Sequence, residues 1–164
     1  MLKHFKTFFH PTVITYSYSQ PKEIVIAKIT EVFKQKVTLF SSNDMTGKFL
    51  NPDTFAISTV SFANTQGVEY GSTLVGHIVE SENGETKINT KATPSFVFSL
   101  VFFITTIFGV IYLFKSIQTG LTEGLFWSLG LLILGPAISI GLSNVAIHSI
   151  RERYKMYIDK TLTN

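Results

Sequence analysis

Two long stretches without a charged side chain set the strongest limit on what this chain can fold into. Residues 95–114 and 124–150 contain no Asp, Glu, Lys or Arg, and both are rich in Phe, Ile, Leu and Val. A hydrocarbon core of about 30 Å is crossed by about 20 residues of α-helix. A buried helix of a soluble domain is usually shorter and has some polar face. The two stretches therefore predict two membrane-spanning helices.

The overall composition fits this division of the chain. Of the 164 residues only 15% are charged, compared with about 25% in a typical soluble domain. The formal net charge of +3 is small, so it does not indicate nucleic acid as a partner. The chain has no cysteine, which excludes disulfides, thiolate catalysis and cysteine-ligated metals.

The link between the two apolar stretches is short, so they are predicted to form an antiparallel hairpin. Pro94 stands between the last predicted strand and the first span. Because proline cannot donate to a strand ladder and suits the first helical turn, it should end the strand and begin the helix. The predicted segments are an N-terminal basic and aromatic segment (1–11), a cytoplasmic α+β head (12–93), a first transmembrane helix (94–115), a short extracytoplasmic loop (116–123), a second transmembrane helix (124–150) and a cytoplasmic juxtamembrane tail (151–164).

Lysine and arginine are distributed unequally around the predicted spans. Only Lys115 lies in the hairpin loop, whereas six basic residues lie near the opposite ends of the spans: Lys87, Lys91, Arg151, Arg153, Lys155 and Lys160. Since cytoplasmic loops carry the excess of Lys and Arg, both termini are predicted in the cytoplasm and the spans in the inner or plasma membrane. The N-terminal stretch agrees, because Lys6, His10 and Pro11 interrupt the apolar core that a signal peptide needs.

The head is predicted to be α+β, a small antiparallel sheet covered by one amphipathic helix. The helix follows Pro21, and its apolar stripe is formed by Val25, Ile26, Ile29, Val32 and Phe33. Ile24 falls outside this stripe. Short β-rich runs separated by turn signals predict about five strands, in the runs VITYSYS, VTLF, GKFL, TFAISTVSF, STLVGHIVES and ETKINTKAT.

The last two runs are predicted to form a hairpin. Asn83-Gly84 between them indicates a type I′ turn. The last strand alternates, with Thr86, Ile88, Thr90 and Ala92 on one face and Lys87, Asn89 and Lys91 on the other. The second face is predicted to meet water or lipid headgroups.

The N-terminal segment has two interpretations. Leu2, Phe5, Phe8 and Phe9 fall near one helical face beside two lysines. This pattern is typical of a short interfacial helix on anionic headgroups. The alternative is a frayed segment whose aromatic rings cap the sheet.

Stripes of small and polar residues on the predicted spans indicate helix packing, because small residues let helix backbones approach closely. In the first span the stripe is Thr105, Gly109 and Tyr112. In the second span it is Gly130, Ala137, Gly141, Asn144 and His148. Either the stripes join the two spans of one chain or they join subunits of a homo-oligomer. The first interpretation is favoured, since the hairpin must pack in some way.

The tail is predicted to lie at the membrane surface. Arg151, Arg153 and Lys155 are assigned to lipid headgroups, and the aromatic residues beside them, Tyr154 and Tyr157, to headgroup level. The bilayer is thus the one partner that the sequence itself indicates.

Three features carry a resemblance to known proteins: Gly76-His77-Ile78, Gly84-Glu85-Thr86 and Pro94-Ser95-Phe96. With the surrounding residues 45–115 they resemble a family of small bacterial membrane proteins in which a compact α+β head precedes two transmembrane helices. Glu85 is an insertion relative to the Gly-Thr of the family pattern and shifts the turn by one residue. The family has no established activity, so the resemblance implies the architecture and no catalytic residue.

No catalytic, cofactor-binding or metal-ligating residue is predicted. The four histidines, His4, His10, His77 and His148, are not spaced to share a metal. No glycine-rich loop precedes a helix and lysine as a phosphate site requires. The acidic residues of the head lie mostly in turns or on the polar helix face, where solvation explains them.

The favoured function is therefore a non-enzymatic accessory or scaffolding subunit with a protein partner or a second copy. An alternative is a small-molecule or lipid-binding module, with a cavity between the helix stripe and the sheet lined by Phe40, Phe49, Phe55 or Phe62. A membrane enzyme is the third interpretation, and it requires His77 and acidic residues to converge in a cleft.

Overall fold

The computed structural model describes residues 11–34, 45–59, 72–81, 83–120 and 122–163. Within them, a five-stranded antiparallel sheet is followed by two long apolar helices. This confirms the predicted fold, an α+β head followed by a two-helix hairpin. The predicted N-terminal segment before residue 11 and the run VTLF lie outside the described residues.

The sheet has the strand order β1-β5-β4-β3-β2, with every neighbouring pair antiparallel. Strands β2 to β5 form a meander, and β1, the first strand in the chain, pairs with β5 at one edge of the sheet. The bounds are Val13–Tyr18 for β1, Met45–Asn51 for β2, Thr54–Thr59 for β3, Thr73–Glu80 for β4 and Thr86–Thr93 for β5.

The alternation predicted for β5 is confirmed. Thr86, Ile88, Thr90 and Ala92 are buried on the inner face of the sheet, whereas Lys87 and Lys91 are exposed on the outer face. Two polar threonines are tolerated inside because the hydroxyl of each donates a hydrogen bond to a backbone carbonyl in or just after β1. Thr86 Oγ1 donates to the carbonyl of Gln20 at 2.6 Å, and Thr90 Oγ1 donates to the carbonyl of Ile14 at 3.0 Å.

Helix α1, Lys22–Lys34, packs on this inner face through the predicted stripe. Val25, Ile29 and Val32 are buried, and Ile24 is exposed as expected. Phenylalanine rings fill the space between helix and sheet, with the centroids of Phe33, Phe49 and Phe55 between 5.7 and 6.0 Å apart. Two glycines make room for the rings. A Cβ on Gly76 would overlap the ring of Phe55, and one on Gly47 would overlap the ring of Phe33.

The β4–β5 hairpin differs from the predicted type I′ turn. That turn needs positive φ at both Asn83 and Gly84, but only Gly84, with φ 74°, is in that region. The amide of Gly84 donates to the carbonyl of Ser81, and the amide of Ser81 donates to the carbonyl of Glu85. These bonds enclose three residues, which is the pattern of a type I turn followed by a glycine bulge.

Strand β5 leads almost directly into helix α2, Phe96–Thr119. Ser95 is its N-cap and accepts a bond from the amide of Val97 at 3.4 Å, so Pro94 precedes the cap instead of lying in the first turn. Gly120, with φ 68°, ends the helix in the left-handed conformation. Helix α3, Thr122–Tyr154, begins two residues later, so the helices extend into the predicted loop.

The C-terminal tail is part of the head. Helix α3 continues as a π-helical turn, Lys155–Asp159, and a short helix α4, Lys160–Thr163. The prediction that the tail aromatics lie at headgroup level is wrong for Tyr154, which is fully buried in the core of the head together with Ile158. Tyr157 is partly buried against the same core. The inner face of the sheet is therefore covered by two helices, α1 and the end of α3, where one was expected.

Candidate functional site

Small residues bring α2 and α3 into close contact. Gly109 of α2 is buried beneath Leu132, and a Cβ on Gly109 would lie 2.7 Å from Leu132 Cγ. Gly135 of α3 lies against Thr105, where a Cβ would be 2.5 Å from Thr105 Cβ. Two of the residues assigned to packing, Thr105 and Gly109, thus lie between the helices. The third in that helix, Tyr112, is 48% exposed beside them.

Serines that sequence reasoning missed complete this seam. Ser116 of α2 and Ser128, Ser139 and Ser143 of α3 are all buried. Three of their hydroxyls donate to carbonyls of their own helix, at 2.8 to 3.0 Å. The polarity of these three hydroxyls is therefore satisfied within their own helices, whereas the buried Ser143 hydroxyl makes no hydrogen bond with the described part of the chain. Their signal in the sequence is a second small-residue stripe, formed with Gly124 and Gly135 about half a helical turn from the predicted one.

The predicted stripe of α3 points away from α2. An added Cβ on Gly130 or Gly141 would meet nothing within 4 Å. Ala137 and His148 are exposed, and Asn144 is half-buried. This placement contradicts the interpretation that the stripe joins the two spans of one chain. Contact of these five residues with another molecule stays a prediction.

The two glycine environments give a matched pair of substitutions. Gly109→Leu should lower the stability of the hairpin by about 1–3 kcal/mol, because the side chain must displace Leu132 from a packed seam. Gly141→Leu places the same side chain in open space and should leave the stability of the monomer unchanged. Thermal unfolding in detergent, followed by circular dichroism, measures both. Equal stability of the two variants would contradict this packing.

Helix α3 joins the head without a break, and the apolar side of its continuation to Thr163 is buried in the core of the head. Five of its residues, at spacings of three and four, are at most 3% exposed: Ile147, Ile150, Tyr154, Ile158 and Leu162. The ring of Tyr154 lies 4.8 Å from that of Tyr16 and stacks on Phe55 at 6.4 Å. Burial of this row therefore joins the helix to β1 through Tyr16 and to β3 through Phe55, both on the inner face of the sheet.

The π-helical turn brings polar groups together inside this junction. The hydroxyl of Tyr18 donates to Asp159 Oδ1 at 2.7 Å and lies 3.2 Å from the hydroxyl of Tyr154. Tyr154 and Asp159 are five residues apart, which is the interval joined by hydrogen bonds in a π-helix. The wider turn therefore lets both side chains reach the same tyrosine, where an α-helix would separate them.

Further bonds hold the end of the chain against the head. Gln20 Nε2 donates to the carbonyl of Leu162 at 2.8 Å, and Lys28 Nζ donates to the carbonyl of Thr161 at 3.1 Å. The last helical carbonyls have no partner within their own helix, so these side chains act as C-terminal caps.

The three cations assigned to lipid headgroups contact the protein itself. Arg151 Nη2 donates to the carbonyl of Thr12 at 2.9 Å. Arg153 Nη1 donates to Ser149 Oγ at 2.5 Å. Lys155 is exposed and pairs with Glu152 at 3.2 Å, and this hydrogen bond raises the pKa of Lys155. Contact of these three cations with lipid stays a prediction.

The buried tyrosines resist ionisation. Burial is the main cause that raises the pKa of Tyr18 and of Tyr154 above the ordinary value of 10.0. The neighbouring Tyr154 and the bond to Asp159 raise the pKa of Tyr18 further. The bond with Tyr18 lowers the pKa of Tyr154 in part. Above pH 10 the unfolded chain therefore releases protons that the folded head retains, so the free energy of unfolding falls as pH rises.

Alkaline pH should destabilise the head, because Tyr18 and Tyr154 ionise more readily in the unfolded chain than in the folded one. We expect their contribution to be constant below about pH 9 and to fall above about pH 10, by up to about 1.4 kcal/mol per pH unit for each tyrosine. Tyr154→Phe keeps the ring and removes one titrating hydroxyl, so the decline should become shallower. Urea titrations of the detergent-solubilised protein between about pH 8 and 11 measure it. A slope unchanged by Tyr154→Phe would refute this assignment.

The head residues considered for other chemistry lie apart from one another. His77 is exposed on the outer face of the sheet, with Nδ1 3.0 Å from Thr54 Oγ1. Among the described residues, no group of three or more His, Asp or Glu side chains is arranged to hold a metal ion. The space between α1 and the sheet is filled by Phe33, Phe49 and Phe55. The other ring positions expected to line a cavity, Phe40 and Phe62, lie outside the described residues.

A half-open groove lies at the loop end of the α2–α3 hairpin. It has a volume of about 370 Å³ and is lined by Tyr112, Gly124, Trp127 and Leu131. Its lining is mostly apolar, and it opens to the surroundings of the helices, so it suits an acyl chain better than a polar metabolite.

Comparisons with known proteins give no match: no protein-family model, no curated protein and no solved structure matches this chain. The architecture that the family resemblance implies is found in the structure. Membership of that family stays a prediction.

Proposed function

We propose that this chain is an integral membrane protein that presents a small cytoplasmic interaction head at the membrane surface, as a non-enzymatic accessory or scaffolding subunit of a bacterial inner membrane. The observation that carries the proposal is the course of α3. One continuous helix includes a membrane-length apolar segment and the buried row Ile147 to Leu162 of the head.

The surfaces of α2 and α3 support the membrane location. Both helices are long and apolar enough to cross a bilayer, and in their most apolar windows only 6% and 11% of the residues are buried. The core helix of a soluble protein is mostly buried, whereas here large side chains such as Phe103, Trp127 and Ile133 are more than half exposed. So much exposed apolar surface is suited to lipid.

The rigid junction supports an interaction role. The head is joined to the hairpin at two places, by the Thr93–Phe96 connection and by the unbroken helix that ends at Thr163. A head fixed in this way cannot rotate freely, so it presents the exposed outer face of β4 and β5 in a constant direction relative to the bilayer. Fixed presentation lowers the entropy lost on binding and suits a subunit that docks a partner beside the membrane.

Membrane insertion and orientation are tested on the full-length protein. We expect it to sediment with membranes through washes with high salt and to enter the supernatant only with detergent. A periplasm-active reporter fused after Thr163 should be silent, and the same reporter inserted at Gly120 should be active, because the basic residues lie on the side of the termini. Recovery of the protein in the supernatant without detergent would refute the proposal.

The interaction role is tested by extraction in mild detergent, cross-linking and mass spectrometry. We expect a stoichiometric protein partner cross-linked to the head. Tyr154→Ala should release it, because removing a large buried aromatic side chain costs about 3–5 kcal/mol and disrupts the head. The matched control Tyr112→Ala truncates an aromatic side chain that is 48% exposed in the membrane helix and should retain the partner.

A partner retained by Tyr154→Ala would assign binding to the membrane helices instead. A stoichiometric lipid or metabolite, with no protein, would support the ligand-binding alternative.

A further inference from the structure

The head has one end at the membrane helices and one end away from them. We call the end where β5 joins α2 the base, and the opposite end, with the Asn51–Thr54 turn and the β4–β5 hairpin, the tip. All five strands run between base and tip, since each pairs with its neighbour over most of its length. The position of a residue along its strand therefore places it between base and tip.

Acidic residues of the sheet and its described turns gather at the tip. Asp53 lies in the β2–β3 turn, Glu80 ends β4 and Glu85 precedes β5. Asp53 is also paired with Lys22 at 2.6 Å. From the row that contains Lys91 down to Thr93, none of the described strand residues is acidic.

Cations occupy one level near the base. The strand register places Lys48, Ala56, Val75, Lys91 and Val13 in a single row across the five strands. Both lysines of this row are exposed on the outer face. Arg151 reaches the same level from the helix on the inner face, because it bonds the carbonyl of Thr12, next to Val13.

This level is within reach of lipid phosphates. Lys91 is two residues from the end of β5, or about 7 Å at 3.3 Å per residue. The polar layers of a bilayer add about 5–8 Å on each side of the hydrocarbon core, and a lysine stem extends its charge toward that layer. Lys87 lies about 13 Å further up the same strand, beyond the Debye length of about 8 Å at physiological salt.

We propose that Lys48, Lys91 and Arg151 form a rim that binds the phosphates of anionic phospholipids in the leaflet next to the head. The rim rests on the proposed membrane insertion. Its three cations lie on both faces of the sheet at one height, so a flat layer of charge meets all of them together. A protein docked on the outer face would contact the lysines and miss Arg151.

The test compares lipids around the full-length protein reconstituted in phosphatidylcholine bilayers. Electron spin resonance measures how strongly spin-labelled phosphatidylglycerol and phosphatidylcholine are held at the protein surface. Wild type should prefer phosphatidylglycerol. In the double variant Lys48→Gln, Lys91→Gln the ratio of the affinity for phosphatidylglycerol to that for phosphatidylcholine should fall several-fold, by up to about fivefold per cation. At about 1 M salt, where the Debye length is about 3 Å, the difference between the two proteins should disappear.

Lys87→Gln is the matched control, because it removes an exposed lysine from the same strand and face as Lys91. It should keep the wild-type preference. An equal loss in Lys87→Gln would show attraction by net charge alone and overturn the rim, as would the absence of any preference in wild type. A protein that fails to float with the vesicles refutes membrane insertion itself, whereas one that floats without lipid preference refutes only the rim.

Discussion

The packing of the end of α3 on the sheet is the contact on which the rest of the structure depends. Helix α1 covers mainly the part of the sheet around Gly47, Phe49 and Phe55. The remaining inner face, around Tyr16 and Tyr18 of β1, is covered by Tyr154 and the residues that follow it. A head of about 80 residues is near the lower limit for an independent core. The buried row of α3 therefore supplies a share of apolar contact that the head lacks by itself.

Because the same helix supplies this core and a membrane-length segment, the position of the head is fixed by helix geometry. An α-helix rises 1.5 Å per residue, and the buried row starts at Ile147, within the last turn of the apolar stretch 124–150. No flexible linker separates the two parts, in contrast to the many membrane anchors joined by polar linkers. The proposed contact of Lys48 and Lys91 with lipid, near the base of the head, depends on this fixed placement.

Much of this fold was predictable because it follows from strong local periodicity. The two-residue alternation of β5 and the apolar stripe of α1 each indicate which face of the element is buried, because only one face is apolar. The position of Tyr154 was misjudged because an aromatic residue beside arginines is typical of the headgroup level of a membrane as well as of a core. The choice depends on β1, more than 130 residues earlier in the sequence. The hairpin turn was misjudged because register is set by buried pairs such as Ile78 and Ile88, which override the dipeptide preference.

The pairing of β1 with β5, and of both with the end of α3, also dictates an order of events during synthesis. The first strand leaves the ribosome long before its partner β5, and the helix that closes the core follows all five strands. All five strands are therefore made before the apolar helices, while the core of the head still lacks the end of α3. Long-range closure of this kind is slow, so the inner face of β1 stays without its cover until the end of α3 packs on it.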